Sequence, residues 1–258
     1  MSGAVGRAER AAADAGRISG AVGRTERAAA DADRISGAVG ADRTGSVIAG
    51  RRVWLCDLDG TLVDSFPAHD AAFRQAIAEL VPDRLPGFRY TDHAGASTAT
   101  VAAVLTGDPD LAGRLARRKQ ELYREYAASG RVRPFPGARR LLDRLAATGR
   151  QAYLVTSGSR GSVERALAAC ALGDVFRDVI TSDDVPVSKP DPRFYGLACD
   201  RWGVDPAEAV ALEDSAHGVA SAVGAGLATF HVHTAEPLFG AVAAGTLDDI
   251  VSLLEVDQ

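Results

Sequence analysis

The chain has 258 residues, room for one large domain or two small ones with a substantial core. Its formal net charge of −5 argues against a nucleic-acid partner, because a phosphate backbone calls for a basic surface. Three widely spaced cysteines (Cys56, Cys170 and Cys199) with no Cys-x-x-Cys suggest neither a disulfide framework nor a zinc site. No apolar run approaches the ~18 residues of a membrane span, and no apolar secretion leader opens the chain, so a soluble, cytoplasmic protein without a membrane partner is expected.

Residues 1–46 differ from the rest. Ser2 to Ile18 is repeated almost identically from Ser19 to Ile35, and a third copy starts at Ser36 and fades after Gly40. The units are short, interrupted by glycine and poor in large apolar residues, so a disordered or fraying tail is expected. A helical hairpin docking on an unidentified protein partner is the alternative reading. No catalytic signal lies there.

The globular part starts near Val47. A first strand is predicted over Arg52–Cys56, and it runs directly into Asp57-Leu58-Asp59-Gly60-Thr61. Two carboxylates thus leave the end of a buried strand together, and Gly60 lets the chain turn at once. One such carboxylate can attack an electrophile while its neighbour moves a proton. About ninety residues separate this strand from the next, far more than one crossover helix needs. Helical stretches are predicted around Ala68–Leu80, Thr98–Leu105 and Leu111–Ala128. Residues 66–133 are therefore read as a helical cap inserted into a core made of 47–65 and 134–258. Such a cap emerges over the strand ends where ligands bind in these sheets, and it can close on substrate and exclude water.

Four more strands are predicted: Gln151–Val155, Asp178–Thr181, Ala209–Leu212 and Ala228–Val232. Helices are predicted after Pro136-Gly137, over Gly161–Ala171, after Asp191-Pro192 with the aspartate as cap, and over His217–Gly226. Strands alternating with helices imply an α/β, Rossmann-like parallel sheet covered on both faces. Three more signals follow strand ends. Thr156-Ser157-Gly158 offers a hydroxyl and backbone amides to an anion. Ser188-Lys189-Pro190-Asp191 supplies a point charge for a phosphate. Glu213-Asp214 offers the hard oxygen ligands that suit Mg²⁺ beside Asp57. Each is ambiguous alone. In order, each at the edge where a parallel sheet gathers its strand ends, they are not.

The combination resembles the haloacid dehalogenase-like superfamily, over Val53 to about Val232. Glu213-Asp214-Ser215, Lys189-Pro190-Asp191-Pro192 and His69 look most like its β-phosphoglucomutase and sugar-phosphate phosphatase branch. The resemblance implies a Rossmann-like core, Mg²⁺ dependence and an aspartyl-phosphate intermediate on a small phosphorylated metabolite. It implies Asp57 as nucleophile and Asp59 as general acid and base. Asp59 would need to be protonated at the first step, a state that crowding by neighbouring carboxylates should favour. It further implies Mg²⁺ on Asp57, the Asp59 carbonyl, Asp214 and Glu213. Thr156, with Ser157 and Gly158, would contact phosphate, Lys189 would pair with both phosphate and Asp57, and His69 would orient Asp59 or bridge the hinge. Arg89 and His93 lie near the cap loop as further candidates for substrate contact. Where related mutases carry Gly-x-Ser-Arg this chain has Gly95-Ala96-Ser97-Thr98, and Ser159-Arg160 stands in place of lysine-asparagine. Hydrolysis of a sugar or polyol phosphate is therefore expected over a phosphomutase, with phosphoglycolate a weaker candidate. A non-catalytic binding module on the same fold is the reading from a different class.

Overall fold

The computed structural model describes residues 46–256. The repeats, and the expectations attached to them, lie outside the described residues. Six parallel strands form the main sheet: β1 (Val53–Cys56), β4 (Gln151–Val155), β5 (Val179–Ile180), β6 (Ala209–Glu213), β7 (Ala228–Val232) and β8 (Val242–Ala244). Their spatial order is β5-β4-β1-β6-β7-β8. The chain leaves β1 to one side for β4 and β5, then returns to the other side for β6. The order therefore reverses at β1, the place where open α/β sheets bind ligands beyond their carboxyl ends.

The strands are short apolar runs because both faces are covered. Alternation divides β1 between two cores. Trp54 and Cys56 join one, where Trp54 stacks on Phe230 with centroids 6.2 Å apart, and Leu55 joins the other with Val155, Ile180 and Phe194. The covering helices are α4 (Ala138–Ala147), α5 (Arg160–Ala169), α6 (Arg193–Trp202), α7 (Ala216–Gly224) and α8 (Leu247–Val256). The expected cap for α6 differs in detail. Pro192 occupies the cap position, and Asp191 Oδ1 accepts the Arg193 N–H at 2.9 Å from one residue further back.

Between β1 and β4 lies a helical insert, entered and left through a two-stranded antiparallel stalk of β2 (Val63–Asp64) and β3 (Arg133–Pro134). It holds α1 (Phe66–Leu80), α2 (Thr98–Thr106) and α3 (Pro109–Ala128). Caps at their first residues set where two of these helices begin. Ser97 accepts the Thr100 N–H, and Asp108 accepts the Leu111 N–H at 2.7 Å with Pro109 in the first turn. On α3 the inward stripe is Leu115, Lys119, Leu122 and Tyr123. Among the described residues no helix is long and apolar enough to cross a membrane.

Candidate active site

Asp57 follows β1 and is buried at 6 % exposure. Its N–H donates to the Leu212 carbonyl on β6, which ties the start of the loop to the neighbouring strand (3.0 Å). The loop then turns at Gly60 with φ of +89°, and a Cβ there would collide with the Asp214 carboxylate. Only glycine tolerates both the turn and the approach. Thr61 Oγ1 donates to Asp214 Oδ1 at 3.1 Å, so the first loop and the end of β6 are fastened by side chains as well as backbone.

Lys189 lies behind Asp57 at 2 % exposure. It donates to Asp57 Oδ1 (2.7 Å), to the Val155 carbonyl (3.0 Å) and to Glu213 Oε1, which also accepts from Tyr195 Oη (2.7 Å). All three ammonium protons are used within the protein. The position agrees with an Asp57 partner, but contact with a phosphate would require Lys189 to give up one of these bonds. Burial would lower the Lys189 ammonium, yet the Asp57 and Glu213 carboxylates outweigh it and hold the group above its ordinary value.

Asp57, Asp59, Thr156, Ser157, Gly158, His69 and Asp214 line one cavity, together with Tyr90, Thr98 and Lys119 from the insert. Glu213 is fully buried behind it. Arg89 and His93 do not line it: Arg89 pairs with Asp92, and His93 stacks on Phe88. The side chain of Asp59 turns towards the insert. Its Oδ1 accepts from Tyr123 Oη at 3.1 Å and lies 3.0 Å from His69 Nε2. Behind His69, Lys119 Nζ is 2.6 Å from Nδ1 and 3.2 Å from Thr98 Oγ1. A Lys119 N–H donated to Nδ1 leaves the ring proton on Nε2, facing Asp59.

This corrects the expected protonation of Asp59. Burial would raise its carboxyl, but the His69 ring, with Lys119 behind it, outweighs burial and holds the group below the usual carboxylate range. The crowded acids are the others. Burial pushes Asp57 up to about 8 despite Lys189, and burial with the Asp57 charge pushes Asp214 up to about 7.

A family model for haloacid dehalogenase-like hydrolases matches residues 52–226, and every residue of this cavity falls inside that span. The chain belongs to the haloacid dehalogenase-like hydrolase family. Validoxylamine A 7'-phosphate phosphatase of Streptomyces hygroscopicus subsp. limoneus is 33% identical over 68% of this chain and 83% of its own length. Phosphoglycolate phosphatase of Nitrosospira multiformis is 32% identical over 69% of this chain and 81% of its own. The crystal structure of CbbY from Rhodobacter sphaeroides in complex with phosphate superimposes with a TM-score of 0.70, at 26% identity, covering 80% of this chain and 99% of that one.

Members of this family generally use Mg²⁺, and the hydrolase has residues that fit it. Asp57, Glu213 and Asp214 bring carboxylate oxygens within 4.8 Å of one another. Glu213 Oε2 is buried with no hydrogen-bond partner, and the raised proton affinities show that Lys189 alone does not balance these acids. An oxygen-only set short of positive charge suits a hard divalent cation. The Asp59 carboxylate is not in that cluster, so its main-chain carbonyl is the group left to serve. Sequence reasoning missed Lys119, Tyr123, Thr61 and Tyr195. The signal for Lys119 was present: it is one of two lysines in the chain, and it shares a helix face with Leu115 and Leu122.

Proposed function

We propose that this hydrolase cleaves a small phosphate monoester, a sugar or polyol phosphate, through a phosphorylated Asp57. The observation that carries the reading is Asp57 itself, at the reversal of strand order, with Oδ1 held by Lys189 and Oδ2 without a hydrogen-bond partner among the described residues. A carboxylate fixed through one oxygen presents the other for attack. The activities for which two relatives are named, a validoxylamine A 7'-phosphate phosphatase and a phosphoglycolate phosphatase, support phosphate-ester chemistry.

In the first step Oδ2 of Asp57 bonds to phosphorus as the ester P–O bond breaks, and the leaving oxygen takes the proton of Asp59. In the second, water attacks the phosphoryl group, Asp59 takes its proton, and inorganic phosphate departs with the Asp57 carboxylate restored. The resting, ionised Asp59 suits the second step. For the first, the arrival of a phosphate dianion beside it raises its proton affinity through like-charge repulsion. Thr156, Ser157 and the Gly158 amide border the space that the phosphoryl oxygens would occupy. Asp57, Asp214, Glu213 and the Asp59 carbonyl would hold Mg²⁺, which offsets the repulsion between carboxylate and phosphate. Residues 66–133 act as a cap, and Tyr123 and His69 on it hold Asp59 at the joint with the core.

The test is Asp57→Asn with a small aryl phosphate and Mg²⁺. Phosphate release should fall on the order of 10⁴-fold, with the melting temperature within a few degrees of the wild type. Wild-type turnover in that variant would sink the assignment.

A further inference from the structure

The cavity that holds the two aspartates is small, about 60 Å³. A water needs roughly 10–15 Å³ on such a measure, so the space admits a phosphoryl group and little more. The rest of a substrate must extend beyond it. Thr98 borders this cavity and also a second, larger cleft of about 320 Å³, walled by Gln120, Ser159, Ser182, Asp183 and Ser188.

That outer cleft is rich in unanswered hydrogen-bonding groups. The Gln120 carboxamide and the Ser188 hydroxyl have no side-chain hydrogen-bond partner among the described residues. In the inner cavity, Ser157 Oγ is buried with no partner. Gln120 and Ser188 are half-buried and open to the cleft, where a ligand hydroxyl can replace the water that such groups otherwise bind.

It is also poor in free positive charge. Among the described residues the one ionisable wall residue is Asp183, an acid. Arg160 stands next to Ser159, but its guanidinium is fixed on both oxygens of Asp184 at 2.8 and 2.6 Å. Lys119 reaches only the inner cavity. Its amine is engaged by His69 and Thr98 between the rings of Phe73 and Tyr123, and burial pushes it down to about 7, away from the charged form. A second anion there would meet the Asp183 carboxylate with no free cation among the described residues to pair with it.

We propose that the leaving group is uncharged and hydroxyl-bearing: the outer cleft takes the body of a neutral sugar or polyol monophosphate, Gln120 and Ser188 read its hydroxyls, and substrates with a second anionic group are rejected. The inference rests on the phosphatase reading above and narrows it. Its test is kcat/KM with Mg²⁺ on the full chain for sorbitol 6-phosphate, fructose 1,6-bisphosphate and phosphoglycolate, with p-nitrophenyl phosphate reporting the chemistry alone. Sorbitol 6-phosphate should exceed both competitors, each of which carries a second anionic group, by about tenfold or more. In Gln120→Lys, with its fold checked by melting temperature, the ratio of sorbitol 6-phosphate to fructose 1,6-bisphosphate should fall about tenfold. A wild-type preference below tenfold, or an unchanged ratio in Gln120→Lys, overturns the proposal while phosphate release stands. No release from any ester, p-nitrophenyl phosphate included, overturns the phosphatase reading and the inference with it.

Discussion

Lys119 and Lys189 are the chain's two lysines, every other one of its 29 basic residues being arginine, and each is only 2 % exposed. Their surroundings push them in opposite directions. Two carboxylates keep Lys189 charged, whereas Lys119 faces aromatic rings and a neutral imidazole, and burial takes it from 10.5 down to about 7. The consequence for stability has a definite sign. Between those two values the unfolded chain binds a proton that the folded chain has released, so stability rises with pH across the window. Wild type should therefore gain about 2 kcal/mol over Lys119→Met between about pH 7 and about pH 9. Urea denaturation of the metal-free proteins at both values measures it. A constant gap between them would mean that Lys119 stays protonated throughout.

At the scale of single elements, α7 shows how closely the site packs on its own scaffold. Gly218 lies in its first turn, and a Cβ there would run into the buried Glu213 carboxylate. Gly196, in α6, has open space around its Cβ position. The same substitution should have opposite signs at the two sites. Gly218→Ala should cost roughly 2 kcal/mol by overpacking, and Gly196→Ala should add up to about 1 kcal/mol through helix propensity. Thermal melts of the two variants decide it, and a neutral Gly218→Ala would show that the Glu213 carboxylate has room to move.

Elements differ in the same way in how far the sequence reveals them. β1, β4, β6 and β7 were legible because burial on both faces leaves unbroken apolar runs between polar turns. The stalk strands β2 and β3 are two residues each, too short for any periodicity, and the edge strand β8 has three. The C-terminal α8 went unread although Leu247, Ile250 and Leu254 keep helical spacing. In the site, Asp57, Asp59, Asp214 and Thr156 were legible because they follow strand ends and Glu213 because it ends β6, whereas Lys189 lies nine residues beyond β5 and was legible from the Lys189-Pro190-Asp191-Pro192 run that leads into α6. Lys119 was not, since Arg117-Arg118-Lys119-Gln120 reads as a solvated face until the helix phase is set by Leu115 and Leu122. The charge state of Asp59 was misread for a related reason. It depends on which way the side chain turns, and Tyr123 and His69 draw it away from the other acids.

At the scale of the molecule, the reversal of strand order at β1 gathers Asp57, Thr156 and Asp214 from three adjacent strand ends, and this concentrates acid in one place. Without a cation the fold bears the cost. Burial raises Asp57 from 3.8 to about 8 and Asp214 from 3.8 to about 7. Above the unfolded value the native protein holds protons that the unfolded chain has lost, so the metal-free protein is most stable at the acid end of that window. It loses stability as pH rises through the folded values. A divalent cation that binds only the folded, ionised site reverses this loss. The rise in melting temperature caused by Mg²⁺ should therefore be small near about pH 5 and grow to several degrees near about pH 8. Asp57→Asn, which removes one of the repelling charges, should flatten the growth. Scanning calorimetry with Mg²⁺ and with EDTA at the two pH values reads this without reference to turnover. A shift that stays level or shrinks with rising pH would mean that the cation is not neutralising these acids.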